Sequence, residues 1–188
     1  MPERLFDTMN VMNKLLIIGL ILVGALIAGF FVLNSRVYDE EQVAVVSDYK
    51  SAEFVIEGER TVLGGAVRYF GNELFTDLDG DGDEDVVFLI AYEPGGSGTF
   101  YYVVAALKTE NGYVGSDGYL LGDRIAPQST EVSPNPRHVN VIVVNYADRA
   151  LDEPMTARPS IGKSAYLKIV PEYMQWGIVE PDFPGESR

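Results

Sequence analysis

The chain has 188 residues, 47% of them hydrophobic and 22% charged, enough for one domain of ordinary size plus an appendage. It carries a formal net charge of −14, no cysteine and a single histidine, His138. That composition excludes disulfides, thiolate metal sites, cysteine catalysis and a multi-histidine zinc site within one chain, and it disfavours nucleic acid, whose phosphates need clustered Lys and Arg.

In chain order, the first element is an apolar run at 15–33, "LLIIGLILVGALIAGFFVL", nineteen residues with no charged or strongly polar side chain. A helix of that length spans about 28 Å, close to the hydrocarbon thickness of a bilayer. Arg4 and Lys14 precede the run, whereas Arg36 is soon followed by Asp39, Glu40 and Glu41. The positive-inside rule then predicts a cytoplasmic N-terminus at 1–14, a single-pass transmembrane helix at 15–33, a linker at 34–42 and an extracytoplasmic domain at 43–188. No A-x-A-like site follows the run, which favours an uncleaved anchor over a signal peptide. Met9 and Met12 offer alternative starts. Residues 37–188 hold 11 Lys/Arg against 26 Asp/Glu, a net of −15, so divalent cations suit this domain better than anionic lipid heads do.

Beyond the linker the pattern is strand-like. No convincing amphipathic helix follows residue 42, "EEQVAVVSDYK" at 40–50 being the best candidate, and "SAEFVI" (51–56) and "TVLGGAVRYF" (61–70) read as strands, the second broken at Gly64–Gly65. "DVVFLIAY" (85–92) and "TFYYVVAAL" (99–107) flank the flexible "EPGGSG", a hairpin signal. "HVNVIVVNY" (138–146) and "SAYLKIV" (164–170) are further strong strands, with weaker ones near 112–121 and 129–133. The strong runs do not alternate, as expected of strands buried on both faces. The fold class is therefore mainly β: an antiparallel two-layer sheet domain behind one N-terminal transmembrane helix. No repeat period emerges, which argues against a propeller or a solenoid.

The stretch 75–88, "FTDLDGDGDEDVVF", places Asp77, Asp79, Asp81, Asp83 and Asp85 at alternate positions, with Glu84 among them. Such a cluster repels itself unless water or a cation offsets it. Calcium takes six to eight oxygens, and Gly80 and Gly82 permit the backbone to curl around an ion. On this reading Asp77, Asp79 and Asp81 point inward, Asp83 offers its carbonyl and Asp85 closes the site. Magnesium, which demands a tight octahedron, fits less well. An EF-hand does not fit, because its twelfth position is Phe88. A solvated acidic turn is the bland alternative.

The closure at Asp85 resembles the D-x-D-G-D-G-x-x-D calcium loops of FG-GAP/VCBS-type β-hairpins, as in integrin propeller blades. More widely, "RYFGNELFTDLDGDGDEDVVFLIAYEPGGSGTFYYVVAAL", "LGDRIAPQSTEV" and "VNYADRALDEPMTARPSIGKSAYLKI" are similar to a family of uncharacterised bacterial envelope proteins anchored by a lipid or a membrane segment. That resemblance implies a domain outside the membrane and a single calcium loop. It implies no activity.

Other features favour ordinary explanations. "PGGSG" (94–98) precedes a strand, not the helix N-terminus that a phosphate cradle requires, and "ARPSIGKS" lacks the first glycine of a nucleotide-binding loop. Ser160/Lys163 and Ser47/Lys50 match Ser-x-x-Lys without its companion motif. Arg124 and Arg149 read as ion-pairing partners of neighbouring aspartates. Tyr101, Tyr102, Tyr146 and Trp176 read as core, or else as the face of a glycan- or protein-binding module. The sequence thus favours a membrane-anchored, calcium-binding β domain with a structural or binding role in the cell envelope. A ligand-binding module is the first alternative. A hydrolase using a calcium-adjacent carboxylate pair is the second, and it lacks a second acidic cluster.

Overall fold

The computed structural model describes residues 21–25, 27 and 45–181. The chain divides into two compact units, Met1–Gln42 and Val43–Arg188. In the first, residues 21–25 and Ile27 are helical, and Ile21, Leu22, Val23 and Ile27 are exposed. The rest of the expected span at 15–33 lies outside the described residues, among which no helix is long and apolar enough to cross a membrane.

The sheets of the second unit are antiparallel. The unit opens with a 3-10 turn at Tyr49–Ser51, at the end of the best helix candidate in the sequence; Val46, within that stretch, instead bridges to Tyr113. The β-branched Val46 loses little by giving up a helix here and gains a strand partner. Strands β1 (Phe54–Ile56) and β2 (Glu59–Thr61) form a short hairpin. A five-stranded sheet follows, with β3 (Val67–Thr76), β4 (Asp85–Tyr92) and β5 (Phe100–Thr109) in sequence order. The far edge of β5 is shared by β6 (Gly112–Gly115) and β7 (Tyr119–Asp123). Next come β8 (Ala126–Val132), β9 (Val141–Asp148), β10 (Ile161–Val170) and β11 (Gln175–Ile178), which make a four-stranded meander.

The unbroken apolar run of β4 has its explanation in the packing. Alternate residues of β4 and β5 point to opposite faces, and both faces are covered. Val87, Leu89, Val103 and Ala105 pack with Ile142, Val144, Leu167 and Ile169 of the second sheet. Val86, Phe88, Ile90 and Val104 pack instead with Ala52, Phe54 and Ile56 of the N-terminal segment. The expectation of a mainly β, antiparallel fold is met, and the N-terminal segment adds cover to the outer face of the first sheet.

The glycine pair Gly64–Gly65 makes a tight turn, closed by reciprocal bonds between the backbones of Gly64 and Val67. β3 runs six residues beyond the expected 61–70 segment, carrying the ladder to Thr76 opposite Asp85. A bulge at Gly71 and Asn72, both with positive φ (120° and 55°), interrupts it. The acidic loop is thus the β3–β4 hairpin connection, and it is anchored at both ends.

Candidate metal centre

The loop 77–84 is held by its own carboxylates. Asp77 accepts from the backbone N–H of Gly80 (2.6 Å) and of Gly82 (3.2 Å), so its two oxygens close successive turns. Asp79 accepts from Asp81 N–H (3.1 Å) and Asp81 from Asp83 N–H (2.8 Å). Gly80 and Gly82 supply the left-handed backbone (φ 91° and 93°) that these turns require. One apolar side chain in the loop, Leu78, is fully buried in the core between the sheets and pins the loop against it.

Asp85 closes the loop from inside the sheet. It is 0% exposed. One oxygen accepts from Lys108 N–H on β5 (2.7 Å), and the other from Leu78 N–H (2.8 Å). Its side chain therefore ties the loop to a strand 23 residues further along the chain. Burial pushes its carboxyl up to about 6, the two N–H bonds oppose the rise, and the charges of Asp79 and Asp81 add to it. Burial also raises Asp79, with its bond from Asp81 N–H opposing and the Asp81 and Asp77 charges adding.

Asp77, Asp79 and Asp85 each bring one carboxylate oxygen to within 4.8 Å of the others. Three carboxylate oxygens this close together could hold a metal ion. Each carboxylate oxygen has a second lone pair beyond the one engaged by an N–H. The donor set fits a hard cation. Asp81 and Asp83 are exposed and are not among these three. Their part in the loop is to cap turns, Asp81 as acceptor and Asp83 as donor. The sequence-derived set thus divides into three converging acids and two that face solvent.

Lys108 N–H and Leu78 were not expected as part of the site. Lys108 acts through its backbone and carries no side-chain signal. Leu78 carries one: it is the lone apolar residue between acids.

The remaining candidates are absorbed by the fold. His138 Nδ1 lies 2.7 Å from Ser133 Oγ, and Nε2 lies 3.2 Å from Asn135 Nδ2. Asn135 Oδ1 already accepts from Arg137 N–H, which fixes its amide nitrogen toward the ring. Ser133, Asn135 and His138 thus form a latch that closes this turn. Arg149 donates to the carbonyls of Asp123, Arg124 and Ala157, and Arg124 pairs with Asp123. Lys163 pairs with Asp148 and Lys50 with Glu73, so neither Ser-x-x-Lys match becomes a catalytic pair. A hollow of about 280 Å³ lies among Asp123, Asp148, Arg149, Glu153 and Lys163, but its charges are satisfied within the chain. Tyr102 is buried with its hydroxyl on Glu57, and Tyr101, Tyr146 and Trp176 pack against the core.

No protein-family model, curated protein or solved structure matches the chain.

Proposed function

We propose that the 43–188 domain binds a divalent cation, calcium, in the β3–β4 loop, and that Asp77, Asp79 and Asp85 ligate it. The observation that carries this reading is the convergence of three carboxylates, one of them fully buried. Charges of like sign at such spacing oppose one another, and a buried carboxylate without a counterion is costly. No Lys or Arg side chain pairs with any of the three among the described residues. A cation relieves both costs at once.

The ion's role in this reading is structural. It joins the end of β3, the start of β4 and the backbone of β5. The apolar run at 15–33 and the flanking charges support a single-pass anchor in a cell membrane, with the domain outside the cytoplasm, where calcium is abundant. The protein then serves the cell envelope by binding or support, through envelope proteins or glycans, and not by chemistry.

The test uses the full chain in detergent, stripped with chelator and melted with Ca2+, Mg2+ or neither. At a hundredfold excess over Kd, calcium adds about 2.7 kcal/mol to stability. A calcium-selective rise in Tm, absent from the Asp77→Asn/Asp79→Asn variant, supports the site. An unchanged melt at millimolar Ca2+ leaves the loop as a solvated acidic turn.

A further inference from the structure

We infer that Asn140 is a positioning residue for the acidic loop: held by a latched turn of the second sheet, its side chain sets the backbone turn at Gly80 and so the placing of Asp77 and Asp79. The inference rests on the cation reading above for its functional consequence, and on the packing alone for the contact itself.

The two loop glycines differ in their surroundings. A Cβ on Gly82 would meet nothing within 4 Å, whereas one on Gly80 would lie 3.0 Å from Asn140 Nδ2. Gly80 is therefore closely approached as well as left-handed, and what approaches it belongs to the other sheet. Gly80 N–H is the donor to Asp77, and Gly80 directly follows Asp79. A shift at Gly80 moves two of the three converging acids.

Asn140 is itself held in place. Its backbone is left-handed (φ 55°), a conformation in which Asn is one of few tolerated non-glycine residues. It directly precedes β9. The turn before it is closed by Ser133 N–H to Val141 O (2.9 Å) and His138 N–H to Asn135 O (2.9 Å), with buried Ser133 and Asn135 bracketing the imidazole. The ring of His138 packs edge-on to Tyr166 of β10. Below the contact, Leu78 shares a core with Ile142 and Val144, two and four residues after Asn140. The loop thus approaches Asn140 at Gly80, and through Leu78 it shares a core with the start of β9.

The test is a double-mutant cycle of Gly80→Ala and Asn140→Gly, together with calcium titration, on the full chain in detergent. Asn140→Gly keeps the left-handed backbone and removes only the side chain. With chelator present, Gly80→Ala is expected to destabilise less in the Asn140→Gly background than in the native one, because its Cβ no longer meets the amide; the two changes are then non-additive. Asn140→Gly alone should leave the chelated melt unchanged and weaken calcium binding roughly tenfold, the low end of what outer partners of a metal site contribute. Asn140→Asp, which keeps the shape, should retain the affinity. Additive effects in chelator overturn the contact whatever calcium does. Coupling in chelator with unaltered calcium affinity in Asn140→Gly overturns the positioning role. If the native chain takes up no calcium, the cation reading falls and the positioning role with it, while coupling in chelator still reports the contact by itself.

Discussion

Asp85 is the residue on which the loop's energetics turn. An aspartate at the first position of a strand with no exposure has exchanged water for two backbone N–H groups, and its carboxyl titrates near 6 instead of 3.8. The folded state therefore holds a proton that the unfolded chain has released, over the window from about 4 to 6. Stability rises with pH only where the unfolded state binds more protons; here the sign is reversed. In chelator, Asp85's own contribution in denaturant unfolding should be a loss of roughly 3 kcal/mol as pH climbs from below about 4 to above about 6, while Glu73, Asp123 and Asp148, whose carboxyls lie below their ordinary value, contribute with the opposite sign. Calcium competes with that proton, so its affinity should weaken up to tenfold per unit as pH falls below about 6, as calorimetric titration would register. Asp85→Asn separates the two effects. It removes the buried charge but can accept from only one of Leu78 and Lys108 without turning its NH2 on the other, so the pH slope should change by Asp85's share and the calcium response should be lost. A slope left unchanged in Asp85→Asn would place the titrating group elsewhere.

At the scale of elements, the β3–loop–β4 hairpin shows what could be read from the residues and what could not. β4, β5, β9 and β10 were legible because each is a run of β-branched and aromatic residues bounded by turn formers. The second half of β3, "GNELFT", lies beyond the strand expected at 61–70; in the fold Gly71 and Asn72 make a bulge, and the ladder resumes at Leu74. β11 has four residues with a glycine among them, and it exists because β10 offers it an edge. The acids of the loop are alike in sequence, and only tertiary burial separates Asp85 from Asp81 and Asp83. What sorts them is Leu78, which drags the loop onto the core, and the N–H of Lys108, which no local pattern advertises. Two substitutions separate anchoring from backbone conformation. Leu78→Ala opens a cavity between the sheets and should cost about 2–5 kcal/mol by denaturant unfolding. Gly82→Ala meets open space but must hold φ at 93°, and should cost only about 1–2 kcal/mol. Equal costs would mean that the loop is not moored through Leu78.

For the whole molecule the governing quantity is charge. With 28 acids against 14 bases, the folded chain confines a net −14, and its self-repulsion is spread over the surface as well as gathered in one loop. Any cation relieves the diffuse part, so a rise in Tm with calcium does not by itself reveal a site. Salt distinguishes the two. At about 1 M NaCl the Debye length is roughly 3 Å, and repulsion between exposed acids such as Asp81, Asp83 and Glu84 is largely screened. The buried Asp85 is shielded from that screening by the protein around it, and the half-buried Asp77 and Asp79 grouped with it are less exposed to it than the outer acids. In chelator, raising NaCl from about 0.05 M to about 1 M should therefore raise Tm on its own, because the diffuse term disappears. Calcium added at high salt should still give a further increment, smaller than at low salt but saturable, and magnesium should give much less of it. An increment that vanishes at high salt, or that magnesium matches, would mean that calcium acts on this chain as a general counterion, with the β3–β4 loop only the densest part of its surface charge.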